Sequence, residues 1–264
     1  MDTLNFNVEK IVSYLKKYKN NLKGSYKWDV KEEFLNEIEI NLKNIDKDDH
    51  FNRDIELKRV LNCRLNDSCN RGDVELFNKL SLWIIKNWGG INFNDEDETI
   101  KLVREFIDRN KYSFNRIAST SKVAAFFNPS EYIIYDSRIA YSINWIILSQ
   151  KAGNVFFPIP EGRNSKITAF DLTTLIRLFR IEKYKQIDLS NSKRFISEAD
   201  KNVFIDKKIA YIELRNLVRN INYKLWEENE DKKNNLFYTE MLLFSIADNE
   251  IFKEIVNKVK LSYI

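Results

Sequence analysis

The chain has 264 residues, 44 % hydrophobic and 31 % charged, with 43 Lys and Arg against 39 Asp and Glu for a formal net charge of +4. That length holds one large domain or two small ones sharing an interface, and the mild positive excess allows a nucleic-acid face without announcing one. A single histidine, His50, excludes His-based zinc clusters, HExxH proteases and any mechanism needing two imidazoles, while Cys63 and Cys69 are too few for a disulfide framework.

With only 6 Gly and 3 Pro, the composition favours helices over many tight turns. No apolar run follows the N-terminal basic residues, and no stretch approaches the roughly 20 apolar residues of a membrane span. The expectation is a soluble, cytoplasmic, monomeric protein that needs neither metal nor cofactor.

Val8, Ile11, Val12, Leu15 and Tyr18 recur at helical spacing and predict a helix over Phe6 to Tyr18, broken at Lys23-Gly24-Ser25. A second amphipathic helix is predicted over Asp29 to Leu42, with Phe34, Leu35, Ile38 and Leu42 on one face. Asn44 to Asn70 is polar and uneven and reads as loops around one or two short helices. Arg71-Gly72-Asp73 reads as a turn plus an N-cap. The helix that follows, Asp73 to Trp88, carries the stripe Leu76, Phe77, Leu80, Trp83, Ile84 and Trp88, which reads as core. Gly89-Gly90 ends it. Asp95 to Glu98 supplies acidic groups at the start of a helix over Thr99 to Asn110, where they complement the helix dipole.

Phe114 to Trp145 is the most specific stretch. It predicts a short helix ending near Ala118, a tight polar link Ser119-Thr120-Ser121, and a second helix opened by Lys122. That helix ends at Asn128, since Pro129 disfavours helical geometry in the residue before it. An extended run Tyr132 to Tyr135 follows, and Asp136 has the position and type of an N-cap for the helix beginning Ser137-Arg138-Ile139. Six helical residues carry the chain about 9 Å from Lys122, and five extended residues bring it back over roughly 16 Å. The amine and the carboxylate are within reach of one another.

Asp136 to Gln150 is apolar on more than one side. Lys151 to Lys166 is the longest turn-rich stretch, with Phe156, Phe157, Glu161 and Arg163 in it. A helix is predicted over Asp171 to Tyr184. Two long helices follow, about Val203 to Glu228 and about Leu236 to Lys260, joined by the charged link Glu227 to Asn235.

The pattern Thr120-Ser121-Lys122-Val123-Ala124, then Pro129, then Tyr135-Asp136-Ser137-Arg138-Ile139-Ala140 resembles the core of the helix-hairpin-helix DNA glycosylases, and more narrowly their 8-oxoguanine glycosylase branch. The likeness covers about thirty residues, and Ala118, Ser119 and Thr120 stand where the family hairpin is rich in glycine. The resemblance implies an all-α, two-lobed helical fold around a central helix-hairpin-helix. It divides the chain into N-terminal helices over about 1–110, hairpin and catalytic helix over 111–150, and C-terminal helices over 151–264.

The resemblance also implies that Lys122 is the nucleophile at the sugar C1′ and Asp136 the carboxylate that activates it and steadies the cationic transition state. Ser119, Thr120 and Ser121 at the open helix end, with Arg116 and Arg138, are the candidate contacts to DNA. Trp145, Phe156 and Phe157 are the candidate aromatics of a base pocket. The implied activity is flipping out and excising a base from double-stranded DNA, with strand cleavage through a Schiff base as a companion reaction. The base would be an oxidised guanine, or a modified base of phage DNA in antiviral defence. The alternative from the residues themselves is a non-catalytic DNA-binding helix-hairpin-helix module in which Lys122 touches only phosphate.

Overall fold

The computed structural model describes residues 4–162, 164–185 and 192–259. Every regular element among them is helical. Extended backbone pairs at one isolated bridge, between Phe156 and Phe204. In chain order the helices are α1 (Val8–Lys16), α2 (Leu22–Ser25), α3 (Glu32–Glu37), α4 (His50–Arg71), α5 (Val74–Trp83), α6 (Glu96–Asp108), α7 (Ile117–Phe127) and α8 (Ser137–Ser149). They continue as α9 (Ser165–Ala169), α10 (Leu172–Phe179), α11 (Ser192–Asp200), α12 (Ala210–Leu225), α13 (Glu230–Asn234), α14 (Phe237–Ile246) and α15 (Phe252–Lys258). Wider π turns, Ile84–Trp88 and Ala247–Ile251, extend α5 and α14.

The starts of these helices follow from capping chemistry. Asp73, Asp95 and Asp136 each accept a hydrogen bond from the backbone N–H three residues on, at 2.9, 2.9 and 3.0 Å. Each such cap contributes about 1 kcal/mol. At the other end of α4, Gly72 adopts φ 69°, and the N–H groups of Gly72 and Asp73 close back on the carbonyls of Cys69 and Ser68.

Four of the departures from the sequence expectation bear on the core and the site. The polar stretch 44–70 holds the 22-residue helix α4. Its buried stripe of Phe51, Ile55, Leu61 and Leu65 also includes Asp54 and Lys58, a mutually paired acid and base that make a core-facing helix read as exposed. The second predicted helix shrinks to α3, because Glu39 turns out of helical geometry at φ 54°. The helix expected from Val203 begins only at Ala210, since Val203 and Ile205 bond the backbone of Phe156 at 2.9 Å on either side. The link expected at Ser119-Thr120-Ser121 is not a link at all. Those residues are helical within α7, and the turn between α6 and α7 lies earlier, at 109–116, with Asn110 and Arg116 at positive φ.

Small residues explain that last difference. Ala118, Ser119, Ser121, Ala124 and Ala125 let α4 and α6 approach α7 closely, and α7 is buried along nearly its whole length. Thr120 Oγ1 donates to the Arg116 carbonyl at 3.3 Å, and Ser121 Oγ accepts the Tyr135 N–H at 3.0 Å. α8 and α14 pack on one another and are likewise buried almost all round.

Between α7 and α8 the run Ile133 to Tyr135 is extended but joins no sheet. Its backbone N–H groups are taken instead by side chains of three helices. Ile133 N–H donates to the Tyr211 hydroxyl at 3.2 Å, Ile134 N–H to Glu240 Oε1 at 2.8 Å, and Tyr135 N–H to Ser121 Oγ at 3.0 Å. Buried amides need such partners, and here they fix the path that delivers Asp136. Among the described residues no helix is long and apolar enough to cross a membrane.

Candidate active site

A pocket opens where α4, α7, the start of α8 and α14 converge. Its empty space is about 490 Å³, counting the mouth, and Tyr26, Trp28, Trp88 and Phe244 supply its aromatic walls. Lys122, Asp136, Arg138, Lys58 and Glu240 bring charge to it.

Lys122 is the sixth residue of α7, not its first as expected, and is 5 % exposed. Its Nζ donates to the carbonyl of Ala118, one turn back, at 3.1 Å, and stands 3.8 Å from Asp136 Oδ2. The other carboxylate oxygen of Asp136 caps α8, so one side chain both starts a helix and faces the amine. Burial holds the lysine below its usual pKa of 10.5; Asp136 and Glu240 oppose that shift, and Arg138 adds to it. The site therefore favours a neutral amine at lower pH than a surface lysine would allow.

The stem of Lys122 passes over Gly89. A Cβ placed there would lie 2.7 Å from the Ile85 carbonyl oxygen and 2.9 Å from Lys122 Cδ. Gly89→Ala is thus expected to lower stability by about 1–3 kcal/mol and to push the amine away from Asp136, which a urea titration and a crystal structure of the variant would check.

The second charged pair sits on α4. Asp54 accepts from Lys58 Nζ, from the Tyr26 hydroxyl at 2.6 Å and from Trp88 Nε1 at 2.7 Å, so one buried carboxylate orders two walls of the pocket. Lys58 Nζ also lies 4.6 Å from the centre of the Trp88 ring. Asp54→Ala would leave a buried cation and two donors without their acceptor. The expected loss is about 3–5 kcal/mol, read from the urea midpoint.

Among the residues singled out in the sequence, Lys122, Asp136 and Arg138 meet in this pocket. The Arg138 guanidinium lies over Phe244, 4.5 Å from the ring centre, and its Nε is 3.0 Å from Asp248 in the π turn after α14. Arg116 is exposed at the start of α7 and does not line the pocket.

The structure places the remaining candidates away from the pocket. Ser119, Thr120 and Ser121 are 4 %, 4 % and 0 % exposed, so these side chains pack inside the protein and do not meet a phosphate at an open helix end. Trp145, Phe156 and Phe157 are core residues and line no part of the pocket. Trp145 lies about 13 Å along α8 from Asp136 and donates Nε1–H to Glu254, and Phe157 stacks on Phe6. Arg163 lies outside the described residues.

The pocket residues that the sequence does not single out are Tyr26, Trp28, Lys58, Glu240, Met241 and Phe244, and Trp88, a core residue by its spacing, lines the pocket as well. Two of them left a trace in the sequence. Asp54 and Lys58 are an i, i+4 pair among apolar residues at helical spacing, and Glu240 is the lone charge in the run Leu236 to Phe244.

Comparisons of the chain with protein-family models, with curated proteins and with solved structures find no match.

Proposed function

We propose that the protein is a DNA glycosylase that draws a damaged or modified base into this pocket and releases it with Lys122 as nucleophile. The observation that carries the reading is a buried amine 3.8 Å from a carboxylate inside an aromatic-walled cavity. A sugar carbon is shielded inside a duplex, so the nucleotide must rotate out, and the aromatic walls offer its base a substitute for the stack it leaves. The α6–α7 pair, with its turn at 109–116, then stands as the hairpin of a two-lobed, glycosylase-like arrangement, and DNA is the partner.

The chemistry follows from the charges. Neutral Lys122 Nζ adds to C1′ as the glycosidic bond breaks, and the bonding pair leaves on the base. The Asp136 carboxylate faces the positive charge that develops on the sugar. It then takes a proton from the new C1′-ammonium and passes it to the ring oxygen as that oxygen leaves C1′ with its bonding pair, and an iminium joins lysine to sugar. That Schiff base opens a route to strand cleavage as well as base release. An oxidised guanine and a hypermodified phage base are the two substrates to try first.

Borohydride added during incubation with duplexes carrying oxidised, alkylated or hypermodified bases is expected to capture a covalent protein–DNA adduct with at least one of them. No adduct and no released base across the whole panel would remove the glycosylase reading.

A further inference from the structure

Glu240 brings to the pocket a group that the excision chemistry leaves unused. It is 3 % exposed, and its two carboxyl oxygens have different lives. Oε1 accepts the N–H of Ile134 at 2.8 Å, whereas Oε2 is buried with no hydrogen-bond partner, in a residue that lines the aromatic cavity. Buried polar atoms without partners are rare in folded proteins and call for a missing companion.

The surroundings fix what that companion must be. Burial, the largest cause, with Asp136 beside it, pushes the carboxyl up to about 8, against the Ile134 N–H, Lys58 and Lys122, which pull it down. The groups facing it are Lys58 of α4, Lys122 of α7, Asp136 at the start of α8, Tyr26 after α2 and Tyr211 of α12. That shift favours the protonated carboxyl over the carboxylate. Since Oε1 is already occupied as an acceptor, the proton belongs on Oε2, where it needs an acceptor.

We propose that Glu240 reads the ring that fills this pocket, donating a hydrogen bond from Oε2 to a bare ring nitrogen or carbonyl oxygen on its buried edge. The inference rests on the excision reading only in taking the occupant to be a nucleobase. A base whose buried edge offers only amino or methyl groups leaves the acid without a partner and binds less well.

The test is binding of two free purines, adenine and caffeine, to the full chain, followed by quenching of tryptophan fluorescence. Both purines offer bare acceptors and neither changes charge between about pH 6 and 9. Affinity is expected to fall about tenfold as pH rises through about 8, because ionised Glu240 no longer donates. Glu240→Gln places an amide donor at the same point without a titrating proton, and its affinity is expected to stay level across that range. Glu240→Leu is expected to bind about tenfold more weakly than the wild type at the acidic end. A pH step that survives in Glu240→Gln, or no binding of either purine at any concentration that dissolves, overturns the proposal. The two readings fail separately. A protein that traps DNA yet binds purines alike in all forms keeps excision and loses this inference, and pH-dependent purine binding without trapping does the reverse.

Discussion

Lys122→Gln is expected to lower base release by about a thousandfold or more and to abolish borohydride trapping, while duplex binding stays within a few-fold of wild type. Glutamine keeps most of the side chain's length and a donor for the Ala118 carbonyl, but it has no lone pair able to attack a sugar carbon. Asp136 keeps the Ile139 N–H as a partner and is partly exposed, so loss of the neighbouring charge is not expected to unfold α7. Single-turnover base release, read beside a direct binding measurement, separates the two effects. A non-catalytic DNA-binding module would show the opposite pattern, with weaker, less salt-dependent binding and no chemistry to lose. The wild-type rate is also expected to rise with pH and level off at a midpoint below 10.5, since only the neutral amine attacks and burial lowers the pH at which it forms.

Asp136→Asn carries the second large effect. Asparagine caps helices about as well as aspartate, so α8 keeps its start and stability changes little. What disappears is the negative charge 3.8 Å from the amine. Excision is expected to slow about a hundredfold because the developing sugar cation loses its counter-charge. The pH profile gives a second, independent readout. Asp136 raises the lysine's proton affinity, so removing its charge lets burial depress it further, and the rising limb should move to lower pH even as the plateau falls. A slower enzyme with an unmoved limb would mean that the carboxylate acts on the substrate alone. A limb moved to higher pH would contradict the pairing.

The central meeting of amine and acid was legible because it depends on local rules. Pro129 ends α7, Asp136 has the chemistry of an N-cap, and the intervening stretch is the right length to fold back. The depth of Lys122 was not legible. Ser119, Thr120 and Ser121 suit both a turn and a closely packed helix, and only the approach of α4 and α6 decides between them. α4 was hidden for an electrostatic reason. Asp54 and Lys58 cancel inside the core, and a hydropathy pattern counts each as a surface charge. The pocket walls were beyond reach for a geometric one. Trp28, Trp88 and Phe244 come from three distant segments and meet only in the folded chain, whereas Trp145, Phe156 and Phe157, nearer to Asp136 in sequence, point into the core.

The most direct measurement is to locate the trapped bond itself. The borohydride-reduced complex would be digested with nuclease and protease, and the peptide bearing the sugar remnant sequenced by mass spectrometry. The sugar is expected on Nζ of Lys122 and nowhere else. A remnant on Lys58, the other buried amine of the pocket, or on a surface lysine would contradict the assignment of the nucleophile and, with it, the role given to Asp136.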